Sequence, residues 1–293
     1  MKLLHPWWFV AALLGMAVFA ASAQKKAINP ALLAKAKAGD PQAQLAVGEA
    51  YASGIVVAQD FAQAVLWVQK AADRNLPEAQ DRLGSLYEAG NGVQQDDAKA
   101  ALWYRRAADQ NLASSQLHLG LLYHHGAGVE QDYARAAALY RKAALQGLPE
   151  AQYNLGTMFE RGVGVQQDYA QAADLYRRAA EKGDPSAQFN LGILYDNGTG
   201  VARDYAKAVA LYTKAAEQGL PRAQFNLGTM YANGQGVAVN LPEAYFWLAV
   251  AARTWSGSHQ EEAAHARDQV AQHLSTADLE SAKQRVDRWS GGH

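Results

Sequence analysis

The stretch "AQFNLGILY", Ala187–Tyr195, decides the fold, because the chain carries three versions of it at one interval. Thirty-six residues earlier stands "AQYNLGTMF", Ala151–Phe159, and thirty-six residues later "AQFNLGTMY", Ala223–Tyr231. A catalytic motif needs to occur once. A phrase repeated at constant spacing belongs to the architecture. The register extends outward: Gly48, Gly84, Gly120, Gly156, Gly192 and Gly228 share it, as do Tyr51, Tyr87, Tyr123, Phe159, Tyr195 and Tyr231. Six copies without an insertion cover residues 42–257.

Each copy contains the signals of two helices. Pro41, Pro77, Pro149, Pro185 and Pro221 stand just before the Ala-Gln pair, where proline suits a first helical turn. Gly54, Gly90, Gly126, Gly162, Gly198 and Gly234 follow the aromatic residue, as glycines that end helices do. The second helix opens at Asp60, Asp96, Asp132, Asp168, Asp204 or Asn240, whose side-chain oxygens can accept from the unpaired first-turn amides. It ends at Asn75, Asn111, Gly147, Gly183 or Gly219, all tolerant of left-handed geometry. Glycine inside the first helix costs roughly 1 kcal/mol relative to alanine. Its recurrence predicts a close approach of the second helix, with an Ala-Ala pair such as Ala143-Ala144 as the small-residue counterpart. Tyr51 and its equivalents, with Trp67, Trp103, Leu139, Leu175, Leu211 and Trp247, are the expected bulk of the core. Helices this short bury too little to fold as isolated pairs, so stacked neighbours must share one core.

Met1 to Ala23 holds Lys2 and His5, an apolar run from Trp7 to Ala20, and Ala21-Ser22-Ala23. That is the layout of a cleaved export signal, and the run is shorter than the roughly 20 residues a membrane span needs. A periplasmic product without stable membrane insertion after cleavage is expected; an uncleaved anchor is the alternative. The remainder is nearly balanced, with 27 Lys+Arg in the whole chain, one of them Lys2, against 28 Asp+Glu. No concentrated basic face is available for nucleic acid. There is no cysteine, which removes disulfides, thiolate nucleophiles and Cys-based zinc sites together.

The pattern A-Q-x-x-L-G-x-x-Y-x-x-G-x-G-V, then D-x-x-x-A, then K/R-A-A, resembles the Sel1-like repeat, a relative of the tetratricopeptide repeat. The resemblance spans about 216 of 293 residues. Val56 departs from it in place of the second loop glycine, and Asp97 and Leu241 in place of the aromatic after the cap. It implies an all-α, right-handed superhelical solenoid of six repeats with helical caps. The domains are then a signal peptide at 1–23, an N-terminal capping helix at 24–41, repeats at 42–257 and a C-terminal helical cap at 258–293. Within the last, Gln260–Leu274 and Thr276–Trp289 read as helices, with Ser275 or Thr276 as the cap. Bacterial members of the family are mostly non-enzymatic interaction scaffolds, often exported to the envelope. The implied partner is an envelope protein or peptide. An inhibitor or immunity-type binding protein is the alternative, and a β-lactam- or peptidoglycan-active enzyme a weaker one, because members tied to that chemistry carry the cysteines absent here.

No catalytic residue, metal ligand set or cofactor motif emerges. There is no H-E-x-x-H or G-x-S-x-G, and Gly198-Thr199-Gly200 follows a helix where a dinucleotide fingerprint requires a strand. His124-His125 reads as a solvated pair at a helix end, with a ligand pair as the alternative. The sequon Asn197-Gly198-Thr199 is explained residue by residue by the repeat. Binding is expected where the repeats differ. At one position of the first helix the copies read Leu45, Asp81, Leu117, Tyr153, Phe189 and Phe225; beside it stand Ala46, Arg82, His118, Asn154, Asn190 and Asn226. Tyr153, Phe189 and Phe225 with Asn154, Asn190 and Asn226 form a candidate row on the concave face, where aromatics would supply buried area and amides would pair with a peptide backbone. The same row could instead be packing between repeats.

Overall fold

Asp204 shows how the repeat builds itself: its side chain accepts from the backbone amide of Lys207 at 3.0 Å, closing the first turn of a helix. Asp60, Asp96, Asp132, Asp168 and Asn240 cap in the same way. The computed structural model describes residues 27–290, all helical or connecting, with no strand among them. The expected export segment 1–23 lies outside the described residues. A lone helix, α1 (Pro30–Lys37), precedes the repeats. First helices of the repeats are α2 (Pro41–Ser53), α4 (Pro77–Ala89), α6 (Ala113–His125), α8 (Pro149–Arg161), α10 (Pro185–Asn197) and α12 (Pro221–Asn233). Second helices are α3 (Phe61–Ala72), α5 (Asp97–Asp109), α7 (Tyr133–Leu145), α9 (Tyr169–Glu181), α11 (Tyr205–Glu217) and α13 (Leu241–Thr254). Two more, α14 (Ser258–Ala271) and α15 (Thr276–Arg288), follow.

The described chain falls into two compact units that meet in sequence at Gln110 and Asn111. In the first, α1 packs on α2, α2 on α3, α3 on α4 and α4 on α5. In the second, consecutive helices pack from α6 through α14, and α15 returns onto α13. Each unit is a solenoid of antiparallel helix pairs. Pro185 sits in the first turn of α10, and Gly198 ends it with φ 71°, in the left-handed region glycine enters without strain. The second loop glycine has a separate reason. A Cβ on Gly200 would lie 2.5 Å from the backbone carbonyl carbon of Tyr169, so the loop crosses the start of the preceding repeat's second helix.

The interior glycine is there for a close approach, but its counterpart differs from expectation. A Cβ on Gly192 would meet Cε1 of Tyr212 at 2.6 Å and Cδ1 at 2.8 Å. Gly84, Gly120 and Gly156 face Tyr104, Tyr140 and Tyr176 in the same way, while Gly48 and Gly228 face Val68 and Leu248. The glycine makes room for a tyrosine ring, not for the Ala-Ala pair. These tyrosines, at most 1% exposed, are the bulk of the core, whereas Tyr51, Tyr87, Tyr195 and Tyr231 are only half-buried. Burying a large apolar side chain fully is worth roughly 1.5–3 kcal/mol, which more than offsets a glycine in the helix.

The Ala-Ala pair serves the joint between repeats. Gln224 Nε2 donates to the carbonyl of Ala216 at 3.1 Å, so the buried glutamine of one repeat ties its helix to the C-terminal turn of the previous second helix, where the same carbonyl also accepts from the Gly219 amide. Gln80, Gln152 and Gln188 bond Ala72, Ala144 and Ala180 likewise. Its Oε1 accepts from a residue thirty positions on: Gln110 to Gln80, Gln146 to Gln116 and Gln218 to Gln188, at 2.8, 2.9 and 2.8 Å. Thr254 Oγ1 takes this place for Gln224. Gln44 and Gln152 keep a buried Oε1 without a partner, because Arg74 and Lys182 stand where the donor glutamine should be.

The C-terminal cap closes on α13, the unusually apolar second helix of the sixth repeat. Tyr245, Phe246, Trp247 and Leu248 are all at most 7% exposed. Trp289 packs edge-on against Phe246 and Trp247 at 5.6 and 5.5 Å, and Arg285 lies over the Phe246 ring while pairing with Glu243. Ser275 is the cap of α15, accepting from the Asp278 amide at 3.1 Å. The outward faces are polar, as the end of a stacked array requires.

Candidate functional site

The candidate row stands on α8, α10 and α12, each ring one helical turn ahead of the interior glycine. Its members are not equivalent. Phe189 is 6% exposed, with its ring 5.6 Å from the Tyr212 ring and the Arg222 guanidinium over it at 4.9 Å. It contributes packing. Tyr153 and Phe225 are half-buried, the first 5.8 Å from the Tyr176 ring and the second 5.9 Å from Trp255. Asn190 and Asn226 stand beside the hydroxyls of Tyr176 and Tyr212 and lower the pKa of each, against the larger effect of burial. Asn154 has no hydrogen-bond partner among the described residues.

Around Tyr153 and Asn154 the surface opens into a cavity of about 310 Å3 on the third and fourth repeats. Leu121, His124, Tyr133, Tyr140, Thr157 and Arg161 complete the part that matters here. The cavity exists because the repeat pattern breaks. In the second, fourth and fifth repeats the core tyrosine donates its hydroxyl to a carboxylate at the end of its own first helix. Tyr104 bonds Glu88 at 2.7 Å, Tyr176 bonds Glu160 at 2.5 Å and Tyr212 reaches Asp196 at 3.4 Å. In the third repeat that carboxylate is His124. Its ring lies 6.4 Å from the Tyr140 ring and 5.2 Å, edge-on, from Tyr133. The Tyr140 hydroxyl has no hydrogen-bond partner among the described residues, and burial pushes its pKa well above the ordinary phenol range, with Glu150 adding to the shift through space.

His124 itself departs from the solvated pair expected. It is half-buried, its Nδ1 is buried without a hydrogen-bond partner, and its pKa is lowered, first by burial and then by His125 and Arg161. It is therefore neutral at pH 7. His125 is exposed. Arg161 is exposed and makes no ion pair among the described residues, and no Asp or Glu lines the cavity. Sequence reasoning missed Tyr140 and Arg161 and read His124 only as half of a solvated pair. The signal was available in one register, where Glu88, Glu160 and Asp196 are interrupted by His124. Among the described residues no three His, Asp or Glu side chains converge as a metal site requires, and no helix is long and apolar enough to cross a membrane.

The Sel1 repeat family model matches residues 41–76, 77–112, 113–148, 149–184, 185–220 and 221–253. Two solved structures are similar over most of the chain. A protective antigen of uropathogenic Escherichia coli strains, displaying an SLR fold, is 32% identical with a TM-score of 0.80 over 89% of this chain. A Sel1 repeat protein from Oxalobacter formigenes is 40% identical with a TM-score of 0.70 over 78% of this chain. The match spans 56% and 66% of those two chains, respectively. Among proteins with curated descriptions none matches.

Proposed function

Since the chain belongs to the Sel1 repeat family, which commonly supplies protein-interaction scaffolds, we propose that it binds a protein or peptide partner in the bacterial periplasm, without catalysis, along the first helices of its second unit. The observation that supports this reading most is the half-buried stretch from Tyr153 and Asn154 to Phe225. Rings and an unengaged amide remain within reach of a partner there, next to a cavity at the one core tyrosine that lacks the carboxylate found in three other repeats. Aromatic anchors in partly open pockets are where binding energy concentrates. Stacked repeats also hold such a surface rigid, so little ordering cost falls on the receptor side. The export part of the proposal rests on the short apolar run and Ala21-Ser22-Ala23.

Two measurements test the proposal. N-terminal sequencing of protein from the cell envelope should begin near Gln24, and a product that keeps Met1 in the membrane fraction would contradict export. Capture from periplasmic extract should be compared between wild type and the Tyr153→Ala/Phe225→Ala variant. A specific partner is expected with the first and lost with the second, while the melting temperature changes little. Phe189 is left intact because its burial would confuse binding with stability. Equal capture by both proteins would remove this surface as the binding track.

A further inference from the structure

The third repeat is the place where the structure withholds something its neighbours have. Tyr176 is bonded to Glu160 and shares a hydrogen bond with Thr157, and Tyr212 is bonded to Asp196. Tyr140, at the same register and 1% exposed, has no such partner. His124 occupies the carboxylate's place and Asn154 leaves its amide unengaged. The Tyr140 ring is buried, but its hydroxyl is left with its hydrogen-bonding capacity free for a ligand. Here the space beside that hydroxyl is open, at about 310 Å3 it matches the lower end of ligand-pocket sizes, and its polar lining is one-sided. Donors are supplied by Tyr140 and Asn154, fixed positive charge by Arg161, and no lining residue supplies a negative charge. Glu150, exposed on α8, acts on Tyr140 only through space.

We propose that this cavity receives the side-chain carboxylate of an acidic residue on the bound partner, which supplies in trans the group that Glu88, Glu160 and Asp196 supply in cis. The inference rests on the protein-binding reading above and names the chemistry of one anchor within it. Tyr140 donates its hydroxyl to the incoming carboxylate and Asn154 donates its amide. Arg161 neutralises the charge, and charge-assisted bonds of this kind are the short, strong ones. The ring of Tyr153, half-buried at the rim, covers the aliphatic stem. A side chain fits better than a free acid because the three filled repeats show the group arriving on a short aliphatic stem.

The test uses the full exported chain with histidine rings isotope-labelled, and follows the His124 ring signal as N-acetyl-glutamate N-methylamide is added. A saturable shift is expected, with none from the matching glutamine derivative and a weaker one from N-acetylalanine, whose only carboxylate is terminal. Arg161→Gln should weaken glutamate binding about tenfold, the loss of one charge-assisted contact. His124→Glu, followed at the neighbouring His125 ring, which also lines the cavity, restores the cis carboxylate and should abolish binding while the melting temperature stays level or rises, which separates occupancy from unfolding. The inference is overturned by any of three results. These are glutamine binding as well as glutamate, N-acetylalanine binding better, and no shift by about 50 mM probe, where a single such contact should register. Loss of partner capture in Tyr153→Ala/Phe225→Ala alongside no glutamate binding would sink this anchor and leave the scaffold reading standing. Glutamate binding with unchanged capture would do the reverse.

Discussion

Replacing Gly192 by alanine should change sign according to what stands at residue 212. In an unhindered helix interior, alanine is favoured over glycine by about 1 kcal/mol. Here the added methyl would lie 2.6 and 2.8 Å from two carbons of the Tyr212 ring, whereas comfortable carbon contact begins near 3.5 Å. The ring has little room to retreat. It is 0% exposed, Phe189 lies 5.6 Å from its centre, and its hydroxyl is held by Asp196 at 3.4 Å. Overpacking of this kind costs about 1–3 kcal/mol, and two crowded atoms against a wedged ring place it in the upper half. After the helix gain is subtracted, Gly192→Ala should lose roughly 1–2 kcal/mol. In a Tyr212→Ala background the obstacle is gone and the same change should gain up to about 1 kcal/mol. Urea unfolding of the four proteins of this cycle, all in the same sucrose-stabilised buffer so that the ring deletion stays folded, gives both differences. Gly192→Ala as stable as wild type, or an equal loss in both backgrounds, would refute the account of the interior glycine.

Two further predictions follow from the joints and the core. Lys182→Gln should supply the donor that Gln152 Oε1 lacks, as Gln146 and Gln218 do for their neighbours, and stabilise by about 0.5–1.5 kcal/mol. A lower urea midpoint would show that the exposed bond from Lys182 Nζ to the Gly147 carbonyl matters more. Tyr104, Tyr140, Tyr176 and Tyr212 all have pKa values raised above the ordinary phenol range, chiefly by burial. The folded chain then holds protons that the unfolded chain releases, so their contribution is intact below about pH 10 and drains away as pH rises further. Stability should fall steeply above that pH, with part of the phenolate absorbance appearing only together with loss of helical signal. Complete ionisation of the 14 tyrosines with the fold intact would contradict this.

Much of the architecture was legible because it depends on local chemistry. Asp204 caps, Pro185 starts and Gly198 ends a helix through their own backbone and side-chain geometry, so the element boundaries could be placed to within a few residues. The C-terminal helix expected at Gln260–Leu274 forms at Ser258–Ala271, a shift of the size that ends without strong capping chemistry invite. The candidate site was legible only as a list of positions. Position alone made Tyr153, Phe189 and Phe225 look alike, and it could not show that Phe189 is buried under Arg222 while the other two rings stay half-open.

What the sequence by itself determined is the period, the helix pairs, their caps and the stacking of neighbours, since a short pair with one apolar face has no other way to bury it. The tertiary structure alone decided which small residue meets which large one. Gly192 answers to Tyr212 and Ala216 answers to Gln224, partners that lie 20 and 8 residues away on other helices. The empty place beside Tyr140 belongs to the same class. A missing carboxylate has meaning only once folding has brought His124, Tyr140, Asn154 and Arg161 around one space, because only there do a free hydroxyl, a free amide and an unpaired cation converge on one ligand.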